Sequence, residues 1–184
     1  LLLWLSITLG GALYALRRIA PHPSTIKLAL AFPGTFQNFM QGQNGFISGG
    51  FLGGGLLVLD RSPFLGGFLL GLMSYKPHLA ILIPVALIGG KRWKALATAA
   101  ATVAGLVMLS CLIFGIEIWV VYLKYLSSVP PKLLDISNLW PKMVTTLASV
   151  RLLGGNEGIA WLLQGAVTLC AAGAVFWVWR RKAS

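Results

Sequence analysis

Composition places this 184-residue chain outside the range of ordinary soluble domains, because 57% of its residues are apolar, only 10% are charged and 22 are glycine. Its formal net charge of +11 comes from basic residues in short runs between apolar segments, a pattern typical of membrane topology rather than of nucleic acid binding. These features exclude a soluble cytosolic enzyme. They predict an all-α fold, a polytopic transmembrane helical bundle.

Apolar segments follow one another along the whole chain, and a bilayer core about 30 Å thick needs about 20 apolar residues per helical crossing. The segments are 1–16, 26–36, 45–59, 63–75, 77–90, 95–116 and 158–179. About seven crossings, some of them short or broken, is the simplest count. We expect residues 1–184 to form a single transmembrane domain that begins inside a helix, because Leu1 follows no basic region and precedes no cleavage site.

The basic residues predict which side of the membrane each loop faces. Ten share one side under this count and five share the other, so the first side, with the C-terminus, is predicted to be cytoplasmic. The ten are Arg17, Arg18, Lys27, Arg61, Lys91, Arg92, Lys94, Arg180, Arg181 and Lys182. The five are Lys76, Lys124, Lys132, Lys142 and Arg151.

Lys76-Pro77 divides residues 63–90 into two short helices. If residues 63–90 formed one kinked crossing, eight basic residues would lie on one side of the membrane and six on the other, and Lys76 would lie inside it. A hairpin of two short helices is therefore favoured. Helices of 13 or 14 residues rise only about 20 Å, so their tips must end in a thinned bilayer or in a protein-lined cavity. Lys76 is predicted to lie at that tip.

Glycines are concentrated in the third and fourth segments. They are Gly49-Gly50, Gly53-Gly54-Gly55, Gly66-Gly67 and Gly71. This spacing lets neighbouring helix backbones approach closely, and we interpret it as packing. Room for a lipid chain beside the helix is the alternative.

Residues 117–157 are predicted to form a long external loop that rests on the membrane interface. Prolines interrupt it, and its aromatic residues are Trp119, Tyr122, Tyr125 and Trp140. The stretch after Trp140 predicts an interfacial helix that stops at Leu152-Leu153-Gly154-Gly155. Lys142 is a candidate contact for phosphate or, as we favour, for lipid headgroups.

An amide cluster is the first candidate site. It consists of Gln37, Asn38, Gln41, Gln43 and Asn44. Amides both donate and accept hydrogen bonds, which suits sugar hydroxyls, and the glycines at 42 and 45 allow a non-helical backbone around a watery cavity. We select Gln41, Gln43 and Asn44 as sugar or acceptor contacts. A plain polar turn is an equally weighted alternative.

The second candidate is the YKPH turn, residues 75–78. A lysine at a hairpin apex can hold phosphate as a compact point charge, and His78 can donate to the same oxygens or pass a proton. For Lys76 the alternative is snorkelling to the headgroups, and for His78 it is a structural role.

The remaining ionisable residues carry weaker signals. Asp60-Arg61 is interpreted as a solvated turn pair. Acidic residues on the predicted outer side show neither metal-ligand nor paired-carboxylate spacing; they are Glu117, Asp135 and Glu157. Cys111 and Cys170 lie in apolar runs and give no metal or redox signal.

The order of these motifs resembles that of the bacterial family-87 glycosyltransferases. The family's succession is GQNG, DR, AGxxxGLxxYKP, P and RRW. The similar stretches here are, in order, the GQNG turn (residues 42–45), Asp60-Arg61, Phe64 to Gly71 leading into Tyr75-Lys76-Pro77-His78, Pro84, and Lys91-Arg92-Trp93. The first residue of the AG pair is Gly in this chain. Lys142-Met143 to Gly154 is similar to KMxSxxAxxRLLG, with Thr146 near the usual Ser. The resemblance covers roughly residues 38 to 155.

The resemblance implies a GT-C-type fold and an activity like that of the polyprenol-phosphate-mannose-dependent mannosyltransferases. Such enzymes move a sugar, here a hexose, from a polyprenyl-phosphate donor to an acceptor hydroxyl on the extracytoplasmic side of the bacterial plasma membrane. The same resemblance places Gln43 and Asn44 near the active cavity and Lys76 near the donor phosphate. It places the catalytic carboxylate in a first external loop, so we expect this chain to begin after that loop and to be inactive alone.

The partners implied are membrane lipids, the lipid-linked sugar donor and a glycan or glycolipid acceptor, with no nucleic acid. No cofactor is implied beyond the polyprenyl-phosphate-linked sugar, and a divalent metal is left open. A transporter or lipid flippase is the first alternative function, although the sequence shows neither an inverted repeat nor intramembrane charges. A non-catalytic membrane assembly subunit is the second.

Overall fold

The computed structural model describes residues 2–135, 143 and 145–183, and within these ranges the chain forms helices and turns without a β-strand. The α-helices are α1 Leu2–Ile19, α2 Thr25–Ala31, α3 Pro33–Met40, α4 Gly45–Val58, α5 Pro63–Leu72, α6 Pro77–Ala80, α7 Leu82–Gly89, α8 Trp93–Phe114, α9 Glu117–Asp135, α10 Thr146–Leu152 and α11 Glu157–Ala183. A 3₁₀ turn, Met73–Tyr75, follows α5.

Among the described residues, two helices are long and apolar enough to cross a membrane, Trp93–Phe114 and Glu157–Arg181. Their apolar stretches are almost entirely exposed, as Leu112 at 81% and Leu169 at 75% illustrate. Three shorter apolar helices accompany them: Gly45–Val58, Pro63–Tyr75 and Pro77–Gly89. Apolar faces of this length suit contact with lipid, so the chain is a helical membrane protein, and the count of seven crossings stays a prediction.

The apolar segment 26–36 is not one continuous helix, contrary to a simple crossing. It is broken at Phe32, whose φ of −67° and ψ of 126° are extended, and α2 and α3 have only 7 and 8 residues. Pro33 causes the break, because it lacks an N–H and its ring disfavours a helical residue before it. Each piece rises only about 10 to 12 Å, too little to span a bilayer alone.

Residues 117–135, predicted as part of a loop, form the 19-residue helix α9. Ile118, Tyr122 and Tyr125 recur at helical spacing, a pattern that the mixed polar and aromatic composition obscures.

The predicted stop near Gly154 is present: α10 ends at Leu152 and Gly154 has φ +83°. Trp140 and Lys142 lie outside the described residues.

Glycines make the closest helix contacts, which confirms their interpretation as packing residues in α4 and α5. A methyl group on Gly67 would lie 2.9 Å from the Cα atom of Ala95, and one on Gly71 would lie 2.8 Å from the carbonyl oxygen of Ala99. The register of these contacts shows that α5 and α8 run parallel. A methyl group on Gly66 would lie 3.1 Å from the carbonyl oxygen of Gly55, where α4 and α5 run antiparallel.

A small apolar core joins α4, α5, α7 and α8, and side chains of α7, α8 and α11 pack on it. Its buried residues are Leu59, Leu70, Leu87, Ala95 and Ala99.

An ion pair lies beside this core. Arg92 Nη2 lies 2.5 Å from Asp60 Oδ1, so Asp60 pairs with Arg92 of the turn after α7 rather than with its neighbour Arg61. The Asp60 side chain is 75% exposed, and such a pair contributes about 0 to 1 kcal/mol. Since the turns before α5 and after α7 meet here, the chain reverses at Lys76.

Basic residues gather at this end of the bundle. A methyl group on Gly49 would lie 3.6 Å from Ala12 Cβ and one on Gly53 would lie 2.9 Å from Ala15 Cβ, so α1 runs parallel to α4. Arg18 shares a groove with Arg61. Trp179 of α11 contacts the turn after α7, which brings the C-terminal arginines to the same end. Lys76 lies at the opposite end of α5.

Candidate functional site

The GQNG turn joins α3 to α4 at the Lys76 end of the bundle. Gly42 has φ +60°, a conformation that glycine adopts without strain. Gln43 Nε2 donates a hydrogen bond to Gln41 Oε1 over 2.6 Å. Gln41, Gln43 and Asn44 are all exposed. Two of the three predicted sugar contacts therefore hold each other and present their remaining donors and acceptors outward.

Asn38 supports this turn from inside. Its side chain is only 8% exposed, and its Oδ1 accepts a hydrogen bond from the backbone N–H of Gly45 over 2.9 Å. Within the described part of the chain, its Nδ2 has no partner. A side chain at position 45 would collide with Asn38. Asn38 thus binds the N-terminus of α4, a structural role that amide chemistry alone cannot distinguish from substrate binding.

Replacing Asn38 with leucine should destabilise the protein by about 1 to 3 kcal/mol, because the partly buried N–H of Gly45 would lose its acceptor. Gln37→Leu is the matched control, since Gln37 is exposed on the same helix and its loss should cost less than about 0.5 kcal/mol. Thermal melting in detergent measures both. Equal melting temperatures for the two variants would show that the contact contributes nothing.

Tyr75 connects the two candidate turns. Its hydroxyl donates to the carbonyl oxygen of Asn44 over 3.1 Å and lies 2.5 Å from Ser48 Oγ. Ser48 Oγ in turn lies 3.2 Å from the same carbonyl oxygen. Tyr75 and Asn44 are 31 positions apart, so this contact is a tertiary one. It brings the YKPH turn and the GQNG turn to the same place.

Lys76 follows Tyr75 directly and is half-buried. Its backbone N–H bonds to Met73, and its carbonyl oxygen accepts from Leu79 over 2.9 Å, so the turn is held on both sides. The Nζ atom lies 5.7 Å from the centroid of the Tyr75 ring, a cation–π distance. No described carboxylate pairs with it. Its charge is therefore available to an anion.

The structure describes two of the remaining predicted residues, Pro77 and His78, but not Lys142. Pro77 opens α6 as predicted, and His78 is exposed at the next position, on the same turn as Lys76. Lys142 lies outside the described residues. The structure thus joins the turn carrying Gln41, Gln43 and Asn44 to the turn carrying Lys76 and His78.

A hollow of about 410 Å³ lies beside Tyr75, between the YKPH turn, the end of α8 and the start of α9. Rings of Tyr75, Trp119 and Tyr122 line it, and the hydroxyls of Ser74 and Ser110 add polar groups. We call this the aromatic hollow. The sequence predicts that Trp119 and Tyr122 lie at the membrane interface, which stays a prediction, and does not predict that they line a site together. Their spacing of three residues was the signal that they share a helix face.

These features define a helical membrane protein with a cationic turn and an amide turn joined at one end of the bundle. The family model of glycosyltransferase family 87 matches residues 1–184, so the chain belongs to glycosyltransferase family 87. Membership indicates glycosyl transfer at a membrane as the general activity. No curated protein and no solved structure shows significant similarity to the chain.

Proposed function

We propose that this protein transfers a hexose, with mannose as the first candidate, from a polyprenyl-phosphate donor to an acceptor hydroxyl. The reaction takes place at the Lys76 end of the bundle, on the extracytoplasmic side of a bacterial plasma membrane. The observation that carries the proposal is the hydrogen bond from Tyr75 to Asn44, because it brings the turn of Lys76, which pairs with no described carboxylate, to the turn that carries the exposed amides. Lys142 is proposed as a headgroup contact.

In this reaction the acceptor oxygen forms a bond to the anomeric carbon while the bond from that carbon to the phosphate oxygen breaks. The electron pair leaves with the lipid phosphate, and the Lys76 ammonium stabilises the charge that develops there. His78 is the second donor to the phosphate. Gln41, Gln43 and Asn44 bind sugar or acceptor hydroxyls through their exposed amide edges. The acceptor proton passes to a general base, for which the family resemblance implies a carboxylate of an external loop.

The direct test uses the full-length protein in vesicles with a polyprenyl-phosphate hexose whose sugar is radiolabelled. We expect the label to move to a glycan or glycolipid acceptor. The same vesicles report translocation, because a flippase would move the labelled lipid between leaflets without transferring its sugar. Translocation without transfer would contradict the proposal, and so would the absence of both.

Sidedness provides a second test. In a protein lacking Cys111 and Cys170, a cysteine at position 76 should react with a membrane-impermeant maleimide in intact cells. A cysteine at position 91 should react only after the membrane is opened, because it lies at the basic end of the bundle. If both positions react from the same side, the reaction has no extracytoplasmic site at Lys76.

A further inference from the structure

The aromatic hollow lies immediately beside the proposed phosphate site. Tyr75 belongs to both, because its ring lines the hollow and the Nζ atom of Lys76 lies 5.7 Å from its centroid. A phosphate bound to Lys76 and a group inside the hollow would therefore be separated by little more than one ring. In a hexosyl phosphate the sugar is attached directly to the phosphate oxygen. The geometry thus matches one ligand that fills both places.

The rings in the hollow are held in fixed orientations. Trp119 and Tyr122 meet edge to face, with centroids 5.8 Å apart and planes at 86°. Trp119 Nε1 donates to Ser110 Oγ over 3.2 Å, which ties the indole to α8. Tyr75 is held by Asn44 and Ser48 from the other side. A site whose rings are already oriented spends less binding energy on ordering them.

The chemistry of the residues that line the hollow favours a neutral sugar over a second anion or a lipid chain. Among the described residues, no charged side chain lines the hollow, so those residues offer no cation to a second anion. A lipid chain would offer no hydrogen-bond partner to the lining hydroxyls of Ser74 and Tyr122. A pyranose ring presents C–H groups on its faces and hydroxyls at its edge, which match the electron-rich ring faces and the hydroxyls respectively. The volume falls in the range of about 300 to 1,000 Å³ found for small-molecule sites.

We propose that the aromatic hollow binds the hexose ring of the donor, with Trp119 and Tyr122 as its sugar-binding residues and Tyr75 between sugar and phosphate. This inference rests on the proposed function, and it assigns the donor sugar to residues outside the amide cluster. The amides of the GQNG turn then serve the acceptor.

The test compares two probes on the full-length protein: a short-chain polyprenyl phosphate and the same lipid carrying a mannosyl group. We expect Trp119→Leu to weaken binding of the mannosyl lipid about tenfold and to change binding of the plain phosphate less than about twofold. Trp119→Phe should retain most of the mannosyl contribution, because it keeps an aromatic face. Lys76→Ala should weaken both probes equally.

Trp161→Leu is the matched control, since Trp161 is 46% exposed on α11 and is not among the residues that line the hollow, so its loss should change neither probe. Tyr122→Leu provides a second variant should Trp119→Leu fail to fold. If Trp119→Leu weakens both probes equally, or raises only the KM of the acceptor, the hollow does not hold the donor sugar. If the wild-type protein binds neither probe, the proposed function itself is wrong. If the wild-type protein transfers the sugar, but Trp119→Leu leaves the ratio of the affinities for the mannosyl lipid and the plain phosphate unchanged, only the assignment of the hollow is wrong.

Discussion

Lys76→Ala in the full-length protein should lower the rate of sugar transfer at least about 100-fold while leaving expression and topology intact. The loss follows from removing a charge placed where the departing phosphate develops its own, an effect of about 100- to 1,000-fold in comparable sites. Lys76→Arg should be intermediate, because it keeps the charge in a different geometry. The measurement is transfer of labelled hexose under saturating donor.

Lys94→Ala is the matched control for this prediction. Lys94 is an exposed lysine near the start of α8, at the basic end of the bundle, so its removal should leave the transfer rate within about twofold of wild type. Wild-type rates in Lys76→Ala would remove the lysine from the mechanism and leave snorkelling as its role.

Gly67→Ala should be the most damaging small substitution in the bundle. The added methyl group would fall on the backbone of Ala95, 2.9 Å from its Cα atom, and 2.9 Å from Thr98 Cβ. Backbone cannot rotate away as a side chain can, so α5 and α8 must separate and open the core around Leu70. We expect a loss of about 1 to 3 kcal/mol or more, measured as a lower melting temperature in detergent.

Gly105→Ala carries the same change on α8 at a position where the methyl group meets no atom within 4 Å. It should be neutral or stabilising by up to about 1 kcal/mol, because alanine favours the helix. Equal melting temperatures for the two alanine variants would show that α5 and α8 are not packed through Gly67.

Local signals predicted much of the fold. Pro63 and Pro77 begin helices, where the missing N–H costs nothing, and Gly154 adopts the positive φ of a helix stop. The glycines of α4 and α5 lie at close backbone contacts, as their spacing indicated. These features depend on residues near one another in sequence, which is why composition and spacing were enough.

Other features depend on contacts that the sequence does not display. Average apolarity hid the break before Pro33 and the helix over residues 117–135. The amide cluster was recognised, yet only tertiary packing shows that Asn38 is buried against Gly45 while Gln41 faces outward. Likewise, Lys76 was a candidate by itself, but its link to the GQNG turn runs through the hydroxyl of Tyr75.

The parallel packing of α5 and α8 has a consequence for how a reaction here would proceed. Gly67 lies level with Ala95, Lys76 follows Gly67 by 9 positions and Phe114 follows Ala95 by 19, so α8 extends beyond the Lys76 turn and leaves it recessed. Under the proposed function, the isoprenoid tail of the donor would stay in its leaflet throughout turnover. The spent carrier would then depart by lateral diffusion, and product inhibition would follow its mole fraction among the lipids rather than its concentration in water.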